Sequence, residues 1–141
     1  MLLVVGVLTG AALFVADLVR ALTVEHEIDF VRASSYRDCR STGEVTIPAS
    51  VQTDLTGRHI LIVEDIVDTG RTMCRLLEHL QDAGAASLAI CTLLDKPSRR
   101  CEPVSVHFCG FTIDDHYVYG YGLDLNGRYR GLPHIAYVPR N

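Results

Sequence analysis

The hydrophobic pattern divides the chain into short apolar runs and longer stretches with helical spacing. Residues 2–8, "LLVVGVL", are almost wholly aliphatic and of strand length. Gly6, Thr9 and Gly10 interrupt the apolar stretch, predicting two short elements around a turn. Residues 11–22 then present Leu13, Phe14, Ala16 and Leu18 at helical spacing. Glu27 to Ala33 reads as another strand. The polar tract "SSYRDCRSTGEVTIPASVQTDLTG" has no clear period, and a segment of that length is usually either a functional flap or disordered.

The clearest pattern lies in "RHILIVEDIVDTGRTMCRLLEHLQDAGA". Ile60 to Val63 is a continuous apolar run, the mark of a parallel strand covered on both faces. Met73, Leu76, Leu77, Leu80 and Ala83 recur as one face of a helix, and Gly84 fits its C-terminal cap. "SLAICTLL" is a second apolar run, which completes a right-handed βαβ unit. Val104, Val106 and Phe108 alternate as a further strand, and "HIAYV" reads as a last one. No repeat or linker divides the sequence, so the pattern predicts a single domain, residues 1–141, with a three-layer α/β fold.

Composition narrows the functional classes. Hydrophobic residues make up 48% of the 141 positions and charged residues 21%, a globular balance. The net charge of -4 argues against a nucleic-acid partner, because binding to phosphate backbones is driven by excess positive charge. The first charge is Asp17, yet the preceding run falls short of the roughly twenty residues a spanning helix needs. It also lacks the basic start and cleavage site of an export signal. Five cysteines, Cys39, Cys74, Cys91, Cys101 and Cys109, have irregular spacing and no C-x-x-C pair. Their odd count speaks against a closed disulfide framework, and a reducing cytoplasm is the simplest setting. The six histidines show no metal-ligand spacing.

Candidate chemistry concentrates between the predicted strand and helix, in "EDIVDTGRT". Ligands of open α/β sheets sit at the carboxyl ends of the strands. The amides of Thr69, Gly70, Arg71 and Thr72 open the helix, where free N–H groups and the helix dipole attract an anion. Glu64 and Asp65 would repel a bare phosphate, whereas ribose hydroxyls and hydrated Mg²⁺ suit them as partners. Asp68 is placed to exchange a proton with a reacting base. Acids and threonines also occur at ordinary helix starts, and D-T-G appears in the aspartic proteases. The combination of acid pair, third acid and T-G-x-T ahead of a helix distinguishes this stretch from both.

"ILIVEDIVDTGRTM" closely resembles the phosphoribosyl pyrophosphate (PRPP) signature of type I phosphoribosyltransferases, specifically the hypoxanthine (hypoxanthine-guanine) branch. The similarity extends to "VLTGA", "SSYRDCRSTGEV", "LLDKPSRR" and "VYGYGLDLNGRYRGLPHIAYV". It implies a mostly parallel central sheet flanked by helices, with a mobile hood loop carrying Ser35 and Tyr36. It also implies an N-terminal helix and strand ahead of the first central strand, and Met1 nearly coincides with that strand's start.

The resemblance further implies Mg²⁺-dependent transfer of phosphoribosyl from PRPP to N9 of hypoxanthine or guanine, giving IMP or GMP and pyrophosphate in purine salvage. Thr9 and Gly10 correspond to the pyrophosphate loop, although some relatives carry lysine in place of Thr9. Glu64 and Asp65 correspond to groups engaging the ribose diol and its Mg²⁺, and Thr69, Gly70, Arg71 and Thr72 to the 5'-phosphate cradle. Asp68 corresponds to the general acid/base near purine N7. Lys96 corresponds to the donor to exocyclic O6, Tyr117 to the stacking ring and Val118 to a backbone reader of the purine edge. Asp124 would reach a second Mg²⁺ through water, and Arg130 would face the pyrophosphate. Two related readings stay open: a xanthine-guanine enzyme, and a non-catalytic PRPP- or nucleotide-binding regulator. Closed symmetry makes a homodimer or homotetramer the expected assembly.

Overall fold

The computed structural model describes residues 1–33 and 51–139. The first apolar run is β1 (Leu2–Leu8), and it lies inside the sheet rather than at its edge. One neighbour is β2 (His26–Arg32) and the other is β3 (His59–Val67), followed by β4 (Ser87–Asp95) and β5 (Phe108–Thr112). All four pairings are parallel, in the order β2-β1-β3-β4-β5. The winding reverses between β1 and β3, so the loops leaving their carboxyl ends diverge and open a crevice.

Helix α1 (Ala12–Ala21) covers one face of the sheet and α2 (Arg71–Asp82) the other. Leu3, Val5, Val7, Ile60 and Ile62 pack with Met73, Leu76 and Leu80 of α2. Val4, Leu61 and Val63 pack with Val15 of α1. Both alternating sets of β1 and β3 are therefore buried, which explains the absence of polar positions in their apolar runs. Of the uncharged start of the chain, β1 is sheet core, while in α1 Val15 is buried and Leu13 and Ala16 are exposed. No helix among the described residues is long and apolar enough to cross a membrane.

Two strands differ from the sequence pattern. β3 continues beyond Val63 through Glu64 and Asp65 to Val67, because its pairing with β4 persists as far as Val67 opposite Asp95. Val104 and Val106 do not form a strand; they plug the α2-side core, and β5 starts at Phe108, opposite Cys91. The last predicted strand is present as β7 (Ala136–Val138), which pairs antiparallel with β6 (Tyr117–Tyr119) in a separate two-stranded sheet. Among the described cysteines Cys74, Cys91 and Cys109 are free. Ser35 and Tyr36 lie outside the described residues.

Candidate active site

Phosphate-sized ligands need backbone donors, and the turn between β3 and α2 supplies them. Gly70 occupies the N-cap with φ 85°, a left-handed conformation that suits glycine, and offers no capping side chain, while Thr69 Oγ1 accepts the Arg71 N–H at 3.5 Å. The glycine is also required by space, since an added β-carbon would lie 2.6 Å from the Glu102 carbonyl oxygen. Thr69 is buried beneath the turn, and its carbonyl accepts the N–H groups of Cys101 at 2.8 Å and Glu102 at 3.1 Å. The segment after β4 thus braces the turn between β3 and α2 from outside.

That segment begins with a 3₁₀ turn at Pro97–Arg99, and its two arginines hold the same acid. Arg99 Nε donates to Asp68 Oδ1 at 3.3 Å, and Arg100 Nη1 donates to the Asp68 carbonyl at 2.9 Å. Arg100 is anchored in turn on Asp95 at 2.5 Å. Lys96, at the head of the turn, is only 7% exposed and lies 3.9 Å from Asp115. A buried ammonium is costly without a partner, and Asp115 supplies an opposite charge at the cleft wall.

Glu64 is also 7% exposed, and Oε1 accepts the Asp65 N–H at 3.0 Å. Burial pushes its carboxyl well above the ordinary range, and the neighbouring Asp65 charge adds to the shift. Asp65 Oδ1 accepts the Ile66 N–H at 2.7 Å. The opposite rim comes from the C-terminal block, where the Tyr117 hydroxyl donates to the Asp124 carbonyl at 3.2 Å. Asp124 accepts the Gly127 N–H at 2.7 Å and pairs with Arg130 at 3.3 Å, while Arg130 Nη1 donates to the Gly122 carbonyl at 2.6 Å.

These groups enclose one cleft of about 640 Å³ at the carboxyl ends of β1 and β3. It brings together Gly10, Glu64, Asp65, Asp68, Thr69, Gly70, Thr72, Lys96, Tyr117, Val118, Asp124 and Arg130 from the sequence expectation. Thr9 and Arg71 do not line it; Arg71 Nε instead faces Glu102 at 4.0 Å. Arg99 and Asp115 do line it and carried no assigned role in the sequence reading. Their signal was present as the charge complementarity of "SRR" and "DD", which becomes legible only when the two loops meet.

No group of three or more His, Cys, Asp or Glu among the described residues could hold a metal ion unaided. The donors lining the cleft are the carboxylates Glu64, Asp65, Asp68, Asp115 and Asp124, with no imidazole or thiolate among the described lining residues. Such an all-oxygen set fits a hard cation that takes its remaining ligands from a phosphorylated substrate and water.

Comparison with known proteins gives the same picture. The model of the phosphoribosyl transferase domain family matches residues 2–126. The chain is 49% identical over 138 residues to hypoxanthine phosphoribosyltransferase of Escherichia coli, covering 97% of this chain and 78% of that protein. It is 45% identical to hypoxanthine-guanine-xanthine phosphoribosyltransferase of Tritrichomonas foetus, covering 92% and 72%. Among solved structures, a hypoxanthine-guanine phosphoribosyltransferase from Bacillus anthracis superposes with a TM-score of 0.92 at 40% identity, covering 98% of this chain and 82% of that one.

Proposed function

Since the chain belongs to the phosphoribosyl transferase domain family, we propose that it transfers phosphoribosyl from PRPP to N9 of hypoxanthine or guanine, forming IMP or GMP in purine salvage. It is an enzyme of the hypoxanthine-guanine phosphoribosyltransferase kind. The observation carrying the substrate assignment is the convergence of Asp68, Lys96 and Tyr117 on one cleft together with the glycine N-cap of α2.

In this reading the amides and hydroxyls of Thr69–Thr72 hold the 5'-phosphate, and the Gly10 N–H meets the pyrophosphate. Tyr117 stacks on the purine while Lys96 donates to O6, which favours 6-oxopurines over adenine, whose amino group repels an ammonium donor. Asp68 receives the N7 proton as N9 forms its bond to the anomeric carbon. Displacement there passes through an oxocarbenium-like state, so the enclosing walls also serve to exclude water. Glu64, Asp65 and Asp124 are the residues to hold Mg²⁺. The chemistry such a cation supplies when bound is neutralisation of charge on the departing pyrophosphate. Arg130, which pairs with Asp124 and donates to the Gly122 carbonyl, faces the pyrophosphate.

A cytoplasmic setting, a single-domain organisation over 1–141 and a homodimer or homotetramer complete the proposal. The T. foetus relative makes xanthine a second candidate base. The deciding assay supplies Mg²⁺ and PRPP with hypoxanthine, guanine, xanthine or adenine in turn and follows nucleotide and pyrophosphate. Formation of IMP and GMP supports the reading. Failure with every 6-oxopurine, with PRPP still bound, favours the non-catalytic alternative.

A further inference from the structure

Purine N7 and O6 lie side by side on one edge of the ring, so the groups serving them must be held at a fixed separation. In the cleft these two groups are joined by an alternating series of charges. Asp68 Oδ1 lies 3.3 Å from Arg99 Nε, Arg99 Nε lies 3.9 Å from Asp115 Oδ1, and Asp115 Oδ1 lies 3.9 Å from Lys96 Nζ. The Arg99 and Asp115 side chains remain 39% and 36% exposed, and ion pairs that exposed contribute little to folding. Their value is geometric. The backbone beneath them is rigid: Arg99 N–H donates to the Lys96 carbonyl at 3.1 Å, and Arg100 fixes the Asp68 carbonyl.

We infer that Arg99 and Asp115 are positioning residues that lock the proton-transfer carboxylate of Asp68 and the O6 donor of Lys96 into one unit, so that recognition of a 6-oxopurine and proton transfer at N7 are coupled. The inference rests on the roles proposed above for Asp68 and Lys96. Arg99 directs one carboxylate oxygen of Asp68 and leaves the other for the base. Asp115 draws the Arg99 guanidinium and the Lys96 ammonium toward the same point.

The test is a double-mutant cycle on the full chain with Mg²⁺, PRPP and hypoxanthine. Arg99→Gln is expected to lower kcat roughly ten- to a hundredfold, as misplacement of a reacting group does, with the KM for PRPP changed by less than about twofold. Arg99→Lys recovers part of the rate, and Arg99→Gln causes no further loss in an Asp68→Asn background. Asp115→Asn raises the KM for hypoxanthine. A thermal shift on PRPP binding that matches the parent shows that Arg99→Gln is folded. The inference is overturned by an unchanged kcat in Arg99→Gln, by losses that multiply with Asp68→Asn, or by loss of the PRPP shift. A fully active Asp68→Asn overturns the acid/base role itself, and the inference with it. A slow Asp68→Asn beside an unaffected Arg99→Gln overturns the inference alone.

Discussion

The backbone of Gly10 lies directly against the carboxylate of Asp65, so that an added β-carbon at position 10 would overlap Oδ2. The loop after β1 and the Asp65 carboxylate of β3 are therefore fitted to each other with no room for a side chain. Gly10→Ala is expected to displace Asp65 and lower kcat/KM for PRPP by about a hundredfold or more, because shifts of an ångström in a positioned group carry losses of that order. Steady-state kinetics with varied PRPP measure this, and wild-type kinetics in the variant would refute the fit.

Lys96→Ala removes the buried charged donor proposed to serve the purine edge. The KM for hypoxanthine and guanine should rise about ten- to a hundredfold, the usual worth of a hydrogen bond to a charged group, while the KM for PRPP stays close to that of the parent. Equal kinetics for the two purines before and after substitution would remove Lys96 from base recognition.

Tyr121 links the C-terminal block to α1 through its hydroxyl, which donates to Asp17. Burial, followed by that hydrogen bond, raises the phenol from 10.0 to about 12. The folded protein holds this proton longer than the unfolded chain does, so the associated stability is present below about pH 10 and is lost as the pH climbs toward 12. Tyr121→Phe should remove a phenolate absorbance step near pH 12 and flatten the alkaline decline in unfolding midpoint.

Leu76 is fully buried where α2 meets β1 and β3. Leu76→Ala should reduce unfolding free energy by about 2–5 kcal/mol in urea titrations. Because Leu76 does not line the cleft, ligand affinity measured below the transition should fall much less than stability does.

Most of this architecture can be read from aliphatic spacing. The run at residues 2–8 becomes β1 with those bounds, and Met73, Leu76 and Leu80 become the buried face of α2. The strand is legible because two covered faces demand apolar residues at every position, and the helix because one covered face demands them at every third or fourth. The acid pair, Asp68 and the T-G-x-T turn are legible because their spacing is local. Arg99 and Asp115 are not, since their meeting depends on how two loops from different strands fold over the crevice. Val104 and Val106 mislead for a related reason: strand-like alternation also suits a segment that drops side chains into a core without pairing. Arg130 matches the expected block, yet its bonds to Asp124 and the Gly122 carbonyl arise from left-handed turns that no apolar pattern announces.

The pairing of β1 with β3 sets Leu2 opposite His59, so strands remote in sequence lie side by side. A molecule touching both Gly10 and the Thr69–Thr72 turn therefore clasps distant stretches of chain. Mass action then makes the substrate a stabiliser in its own right: each tenfold rise above its dissociation constant adds about 1.4 kcal/mol. When the nucleotide precursor is plentiful, the protein that consumes it is also better protected against unfolding.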